Sequence, residues 1–449
     1  MWGGVMRHLS FRFCLLSLCA VMFLSACGSS IPLSPTPESS SSQNGSTLSS
    51  EAQLSIGSSN NGIIASGMIG NAQGCYEIFY RPLGDGNILY TDYATQSRIY
   101  LSSQVSAERN NESDTSWLKS TIGGCYFVLT PKNLLLFKLN TPGFADEETE
   151  ERKGYIARYD LNGSNRKILT QLAPNETIAD GCIAYDSDNL YYLNYFVEPD
   201  GTRSPLSLIQ LNITTGEKAE LCQLEAESRH FIVGTYHDKL IIKDIVNPVQ
   251  INAELSAEEI VDAFKQQKHQ ITLLSLDGQQ KTICQWDQDE RTEMFFDNKM
   301  FYWDQEELGI YELDLGNETA NCLYSGPVIG SDGTSYNNVV LYADPFDNHI
   351  LGTATNEQGE SIQVAFDIAS KTFQELTLIE EEKPIQLLAE SPDHFLVQKG
   401  LKEYPVPDYT PDGQQYTTNM LVPDLYLIAK NDYWNNIPNY IPIKDNVYI

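Results

Sequence analysis

Seven apolar, aromatic-rich runs of strand type recur along the chain, at residues 88–93, 134–139, 190–195, 240–245, 300–305, 350–355 and 395–400, with starts 46, 56, 50, 60, 50 and 45 residues apart. Nothing else in the sequence limits the fold so tightly. A strand unit that repeats every fifty residues cannot bury both faces of its sheet alone, and it does so by stacking on copies of itself around an axis. The expected fold is all-β: a β-propeller of seven four-stranded blades over residues 51–449, with one short helical insertion.

The third unit shows the plan, with strands a, b, c and d at residues 182–185, 190–196, 206–212 and 219–224. The c-to-d turn recurs as Asn162-Gly163, Asp277-Gly278 and Gly316-Asn317, residue types that accept positive φ or close tight turns. Residues 155–161 and 310–315 alternate bulky and polar side chains with the period of a strand. Inner strands, covered on both faces, should lose that alternation, as Leu134-Leu135-Leu136-Phe137 does. Residues 62–70 could add a closing strand.

Enlargements fall in one hairpin, between b and c. In the fourth unit Ser256 with Glu259 three residues on forms a capping box that opens a helix over 256–264. The second unit carries the acidic insertion 145–152, the third 198–204 and the seventh 403–420. The b-to-c hairpins of a propeller emerge on one face, and enlarged loops on a rigid scaffold are where binding concentrates. The candidate binding residues are therefore Glu147, Glu148, Asp200, Tyr404, Asp408, Tyr409 and Tyr416. Exposed tyrosines suit sugar faces and peptide prolines.

The amino terminus has the form of an export signal: Arg7 and Arg12, then the apolar stretch 13–24, too short for the roughly 20 residues a membrane helix needs. Leu24-Ser25-Ala26-Cys27 has the form of a lipobox, with Cys27 the expected lipidation site after removal of residues 1–26. Residues 28–50 are Ser, Pro, Gly and Thr with almost nothing to bury, the composition of a flexible tether. The chain is expected to sit on the outer face of the bacterial cytoplasmic membrane, or on the outer membrane of a diderm host, held by its lipid and otherwise monomeric.

The lipobox, the Ser/Pro tether and repeats such as Tyr155 to Leu169 (YIARYDLNGSNRKIL) resemble those of bacterial surface lipoproteins with a TolB-like propeller, a likeness that spans nearly all of residues 60–449. The resemblance implies a propeller outside the cytoplasm that binds or scaffolds a protein, peptide or glycan.

Charge narrows the partners. The chain carries a net −31, and −33 once residues 1–26 are removed, which repels phosphate backbones and makes nucleic acid an unsuitable partner. No HExxH, CxxC or G-x-S-x-G motif occurs, the histidines are isolated, and no metal site, cofactor or catalytic residue is nominated. Asp186-Ser187-Asp188-Asn189 reads as a turn rather than a calcium loop. Cys75, Cys125 and Cys182 are placed on a strands and Cys222, Cys284 and Cys322 on d strands, too far apart within a blade to bridge, so mostly buried free thiols are expected. The leading functional expectation is a non-enzymatic binding or scaffolding module; the alternative is an extracytoplasmic propeller hydrolase or lyase acting on a cell-wall or dietary polysaccharide.

Overall fold

A computed structural model describes residues 53–57, 68–81, 84–104, 109–140, 152–198, 200–225, 228–247, 255–287, 290–342, 345–380, 383–409 and 414–447. The expected signal segment, lipidation site Cys27 and tether, all within residues 1–52, and Glu147 and Glu148 lie outside them. Seven four-stranded antiparallel blades form the propeller. Their a strands, nearest the axis, are Met68–Gly70, Cys125–Leu129, Ala184–Tyr185, Ser228–Tyr236, Arg291–Phe296, Asn338–Leu341 and Gln386–Glu390. In every blade the chain then meanders outward through b, c and d, so that a-to-b and c-to-d turns share one face of the disc. The b-to-c hairpins and the connections to the next blade share the other.

Apolar layers fill the seams between blades 2 and 3 and between blades 5 and 6. Tyr126, Val128, Leu135 and Phe137 of blade 2 pack on Ile183, Leu190, Tyr192 and Leu211 of blade 3. Met294, Phe301, Trp303 and Ile310 of blade 5 pack on Val339, Ile350, Val364 and Phe366 of blade 6. Burying a side chain of this size contributes about 1.5–3 kcal/mol, and stacking supplies it to both faces of the inner strands. Glycines close the c-to-d turns at positive φ, Gly163 at 79°, Gly216 at 84° and Gly278 at 87°.

The first blade departs from the expected alignment. The run at 88–93 belongs to its third strand, Gly86–Asp92, because Gly74–Tyr80 is the second and Met68–Gly70 the first. The suggested closing strand within 62–70 is thus the innermost strand of blade 1, and Cys75 stands on a b strand. Cys182 precedes the short a strand of blade 3. All six described thiols are free, three of them buried, while Cys322 is exposed. The helix of blade 4 is present as Ala257–Lys265, with Ser256 and Glu259 bonded reciprocally.

The seventh-blade insertion is not a loop. Strands His394–Tyr409 and Gln415–Ala429 stay paired from His394 opposite Ala429 out to Tyr409 opposite Gln415, with one bulge between Gln398 and Gly400. Tyr404, Val406, Tyr409, Tyr416, Thr417 and Thr418 favour strand, so the hairpin simply continues past its blade. Its inner side leans on blade 1, where Val422, Tyr404 and Met420 pack on Phe79, Leu89 and Val447.

Two terminal segments complete the ring. Lys444–Asp445 pairs in parallel outside the d strand of blade 1, Ser97–Tyr100. Beneath it Arg98, 1% exposed, pairs with Glu77 and reaches Asp445 at 3.5 Å. At the axis, Ser55–Ile56 pairs with Ala184–Tyr185 as a further inner strand of blade 3. Its neighbours bond to the flanking blades: Leu54 N donates to His237 O at 2.8 Å, and Leu129 N to Gly57 O at 2.6 Å.

Candidate active site

Titratable side chains gather at the b-to-c end of the inner strands of blades 4 and 5. Lys243 and Asp244 are consecutive on the b strand of blade 4, Lys239–Val246, so they point to opposite faces of the sheet. Register sets Asp244 beside His230 on strand a and beside Gln270 on strand c, Lys268–Ser275. His230 Nδ1 lies 2.5 Å from Asp244 Oδ1 and its Nε2 lies 2.7 Å from the Glu225 carbonyl. Asp244 Oδ2 also accepts from Thr272 Oγ1 at 2.8 Å and Gln270 Nε2 at 3.3 Å. Burial opposes charge on His230, yet the bonds to Asp244 and Glu225 outweigh it and raise its pKa above the usual value. With both ring nitrogens facing acceptors, this ring is held in place rather than offered to a ligand.

The other face of the same strand, toward blade 5, is differently poised. Lys243 Nζ pairs with Glu293 Oε1, on the a strand of blade 5. Burial pushes the Glu293 carboxyl up, although Lys243 pulls the other way. His269, opposite Ile245 on strand c, has its pKa lowered to about 4 by burial and by the Lys243 charge. The imidazole is therefore neutral at physiological pH. Its Nδ1 is buried and bonds to no partner among the described residues, and the same holds for Nε1 of Trp286, whose ring meets His269 edge-on at 5.7 Å between centroids. A carboxyl pushed up by burial and a neutral imidazole with a buried, unpartnered nitrogen thus stand around one ammonium, the kind of perturbed cluster that marks a candidate site. The helix Ala257–Lys265, inserted in the b-to-c hairpin, leads straight into the strand that carries His269.

The nominated loop residues are elsewhere. Asp200 Oδ1 accepts from Thr202 N at 2.9 Å and Thr202 Oγ1 at 2.7 Å, closing the blade 3 hairpin on itself. Tyr404 is half-buried against blade 1, and Tyr416 is 46% exposed on the ribbon. Asp408 stands opposite Tyr416 and Tyr409 opposite Gln415, so the ribbon gathers those four and leaves Asp200 apart. Asp186, in the oxygen-rich loop, accepts from the Asp188 and Asn189 amides at 2.8 and 2.7 Å, as a turn does. His269, Lys243 and Glu293 had no sequence signal, because strand register and blade stacking bring them together.

No family model and no curated protein matches the sequence. Solved structures do, as propellers. A puromycin-hydrolysing peptidase of Mycobacterium tuberculosis is 11% identical with a TM-score of 0.47, covering 88% of this chain and 56% of its own. An oligogalacturonate lyase in complex with manganese is 12% identical with a TM-score of 0.42, covering 84% and 85%. TolB from Acinetobacter baumannii is 11% identical with a TM-score of 0.32, covering 81% and 77%. The chain spans little more than half the length of the peptidase. The expected role as a non-enzymatic binding or scaffolding module is corrected: nothing among these structures supports it, two of them being a peptidase and a lyase, and the likeness itself extends to the propeller fold.

Proposed function

We propose that this chain is a propeller enzyme, a hydrolase or lyase acting on a polysaccharide, with its chemistry at the seam between blades 4 and 5. The observation that carries the reading is the neutral His269, its Nδ1 bare, beside the Lys243–Glu293 pair. The half-buried His269 ring would take a proton from water or from a sugar carbon, the Glu293 carboxyl would return one to the departing glycosidic oxygen, and Lys243 would steady the negative charge between them. The test is turnover of cell-wall and plant polysaccharides by the full-length protein. New reducing ends report either reaction, and ultraviolet absorbance of an unsaturated product marks the lyase. His269→Ala and Glu293→Gln should each lower turnover at least a hundredfold with the fold intact. Absence of turnover on every polysaccharide, or full turnover by both variants, would overturn the reading.

The same reading places the enzyme outside the cytoplasm on a lipid anchor at Cys27, cut after Leu24-Ser25-Ala26. The Arg-flanked apolar segment and the Ser/Pro tether support it, and no helix among the described residues is long and apolar enough to cross a membrane. Metabolic labelling with a fatty acid checks it: label should enter the wild-type protein and be lost in Cys27→Ala, which should leave the membrane fraction.

A further inference from the structure

The seam between blades 6 and 7 is built unlike the others. The face that blade 6 turns toward blade 7 carries three rows of side chains across its strands, set by register. Thr355 and Ser361 stand at the b-to-c end, where Asn338, level with them in register, accepts from Gln305 Nε2 of blade 5 at 3.1 Å. Val340, Thr353, Gln363 and Leu376 follow, and then Leu351, Ala365 and Gln374, with Tyr342 continuing the row just past the end of strand a. Leu376 and Phe346 of blade 6 still pack on blade 7 at this seam, but hydroxyls and amides stand among the apolar side chains of the face.

These groups bond to one another along the face: Tyr342 Oη to Gln363 Oε1 at 2.9 Å and to Thr353 Oγ1, Gln363 Nε2 to Thr353 Oγ1 at 3.1 Å, and Thr355 Oγ1 to Ser361 Oγ at 2.8 Å. Gln374 Nε2 is buried and finds no acceptor among the described residues. Val340 is 46% and Tyr342 38% exposed; on the described a strands of the other blades no large apolar side chain is exposed.

The opposite wall is apolar and aromatic. Leu387, Val397 and Tyr426 form it, and Lys399 lies over the Tyr426 and Tyr440 rings at 5.1 and 4.7 Å while pairing with Glu380 at 3.1 Å. At the a-to-b end the seam is pinned shut. Lys430 bridges Asp347 and Glu390 at 3.2 and 3.0 Å, and Trp434 stacks on His349 with centroids 3.9 Å apart. Beside these pins the polar rows reach solvent along the strand nearest the axis, at the exposed Val340 and Tyr342.

We infer that this seam is a binding site for an uncharged glycan chain, separate from the candidate site of blades 4 and 5. Three features select that ligand. The donors and acceptors are side-chain hydroxyls and amides standing on a sheet face, which matches the hydroxyl array of a sugar; a peptide that adds to a sheet uses backbone groups along an open edge. The exposed Tyr342 ring, and the aromatic wall across from it, offer apolar faces to the C–H side of a pyranose. No charged side chain lies in the three rows, Lys399 is already neutralised by Glu380, and the chain as a whole carries −31, which disfavours uronates and other anions. The inference does not depend on turnover, because binding is read without it.

Affinity electrophoresis of the full-length protein through gels cast with laminarin, mannan, xylan or polygalacturonate tests it. At least one uncharged polymer should retard the protein, polygalacturonate should not, and Tyr342→Ala or Gln363→Ala should weaken retardation about tenfold. Both residues are solvent-accessible, so the variants should fold, which circular dichroism verifies. His269→Ala should bind like wild type, so that loss of turnover and loss of binding are told apart. Retardation by polygalacturonate alone, none by any uncharged polymer, or undiminished retardation of both seam variants would overturn the inference, as would competition by a peptide mixture but not by oligosaccharides.

Discussion

Lys243 faces Glu293 across the seam between blades 4 and 5, and the charge that opposes the rise of that buried carboxyl is also one of the two influences that keep His269 unprotonated. One ammonium thus sets the protonation of two groups on different blades. Lys243→Met should raise the His269 midpoint from about 4, and should push the Glu293 carboxyl further up. Carbon-detected NMR titration of the two side chains checks both shifts; an unmoved His269 midpoint would disconnect the two groups.

The two histidines of blade 4 should mark stability with opposite signs. His230 has a folded pKa raised above its unfolded value of about 6.5, so its contribution is complete below that value and is lost as pH rises through the folded pKa. His269, lowered to about 4, costs stability as pH falls from about 6.5 toward 4, and its effect is constant above. Urea midpoints measured across pH should flatten on the alkaline side in His230→Gln and on the acidic side in His269→Gln.

Arg98 is buried between Glu77 and Asp445, tying the carboxy-terminal strand to blade 1. Arg98→Met leaves the buried Glu77 carboxyl without its cation, while Asp445 keeps Lys402 at 3.3 Å, and should destabilise by about 3–5 kcal/mol. The double variant Arg98→Met, Glu77→Leu should recover a large part of that loss, measurable by chemical denaturation.

Gly216 closes the c-to-d turn of blade 3 at φ 84°, and a Cβ there would stand 2.2 Å from the Leu169 carbonyl oxygen of blade 2. Gly216→Ala should cost about 1–3 kcal/mol through strain in both the turn and the seam. Gly333→Ala, also at positive φ but with open space around it, should cost less, and the difference isolates the contact between blades.

The thiols should divide by access. Cys322 is exposed, whereas Cys75, Cys125 and Cys182 are buried, and burial raises the Cys125 pKa to about 12. A thiol reagent on native protein should modify Cys322 first, and mass mapping should find the three buried cysteines labelled only after denaturation.

The repeat of apolar runs carried the propeller in plain view, because every blade must present the same buried strand to its neighbours. The first blade was misaligned since its inner strand is only Met68–Gly70 and its second strand lies before the run at 88–93. The sites were far less legible. His269, Lys243 and Glu293 lie on three strands of two blades, and only register and stacking assemble them. The ribbon of 403–420 reads as a loop in sequence because Pro405, Pro407, Pro411 and Gly413 are turn-formers, whereas its tyrosines and threonines favour strand. One local sign of the blade 6 seam was present: His349-Ile-Leu-Gly-Thr-Ala-Thr alternates where inner strands of other units do not.

The short strand at the axis bears on how the molecule carries force. Leu54 is 3% exposed, lodged with Ala184 and Ile232, while its amide holds blade 4 and Gly57 holds blade 2. A pull transmitted along the backbone from before residue 53 enters at the hub and is divided among three blades, instead of peeling the outermost strand of one from the rim. Tension there has to shear several hydrogen bonds at once, so the ring can be tugged from its centre and stay round.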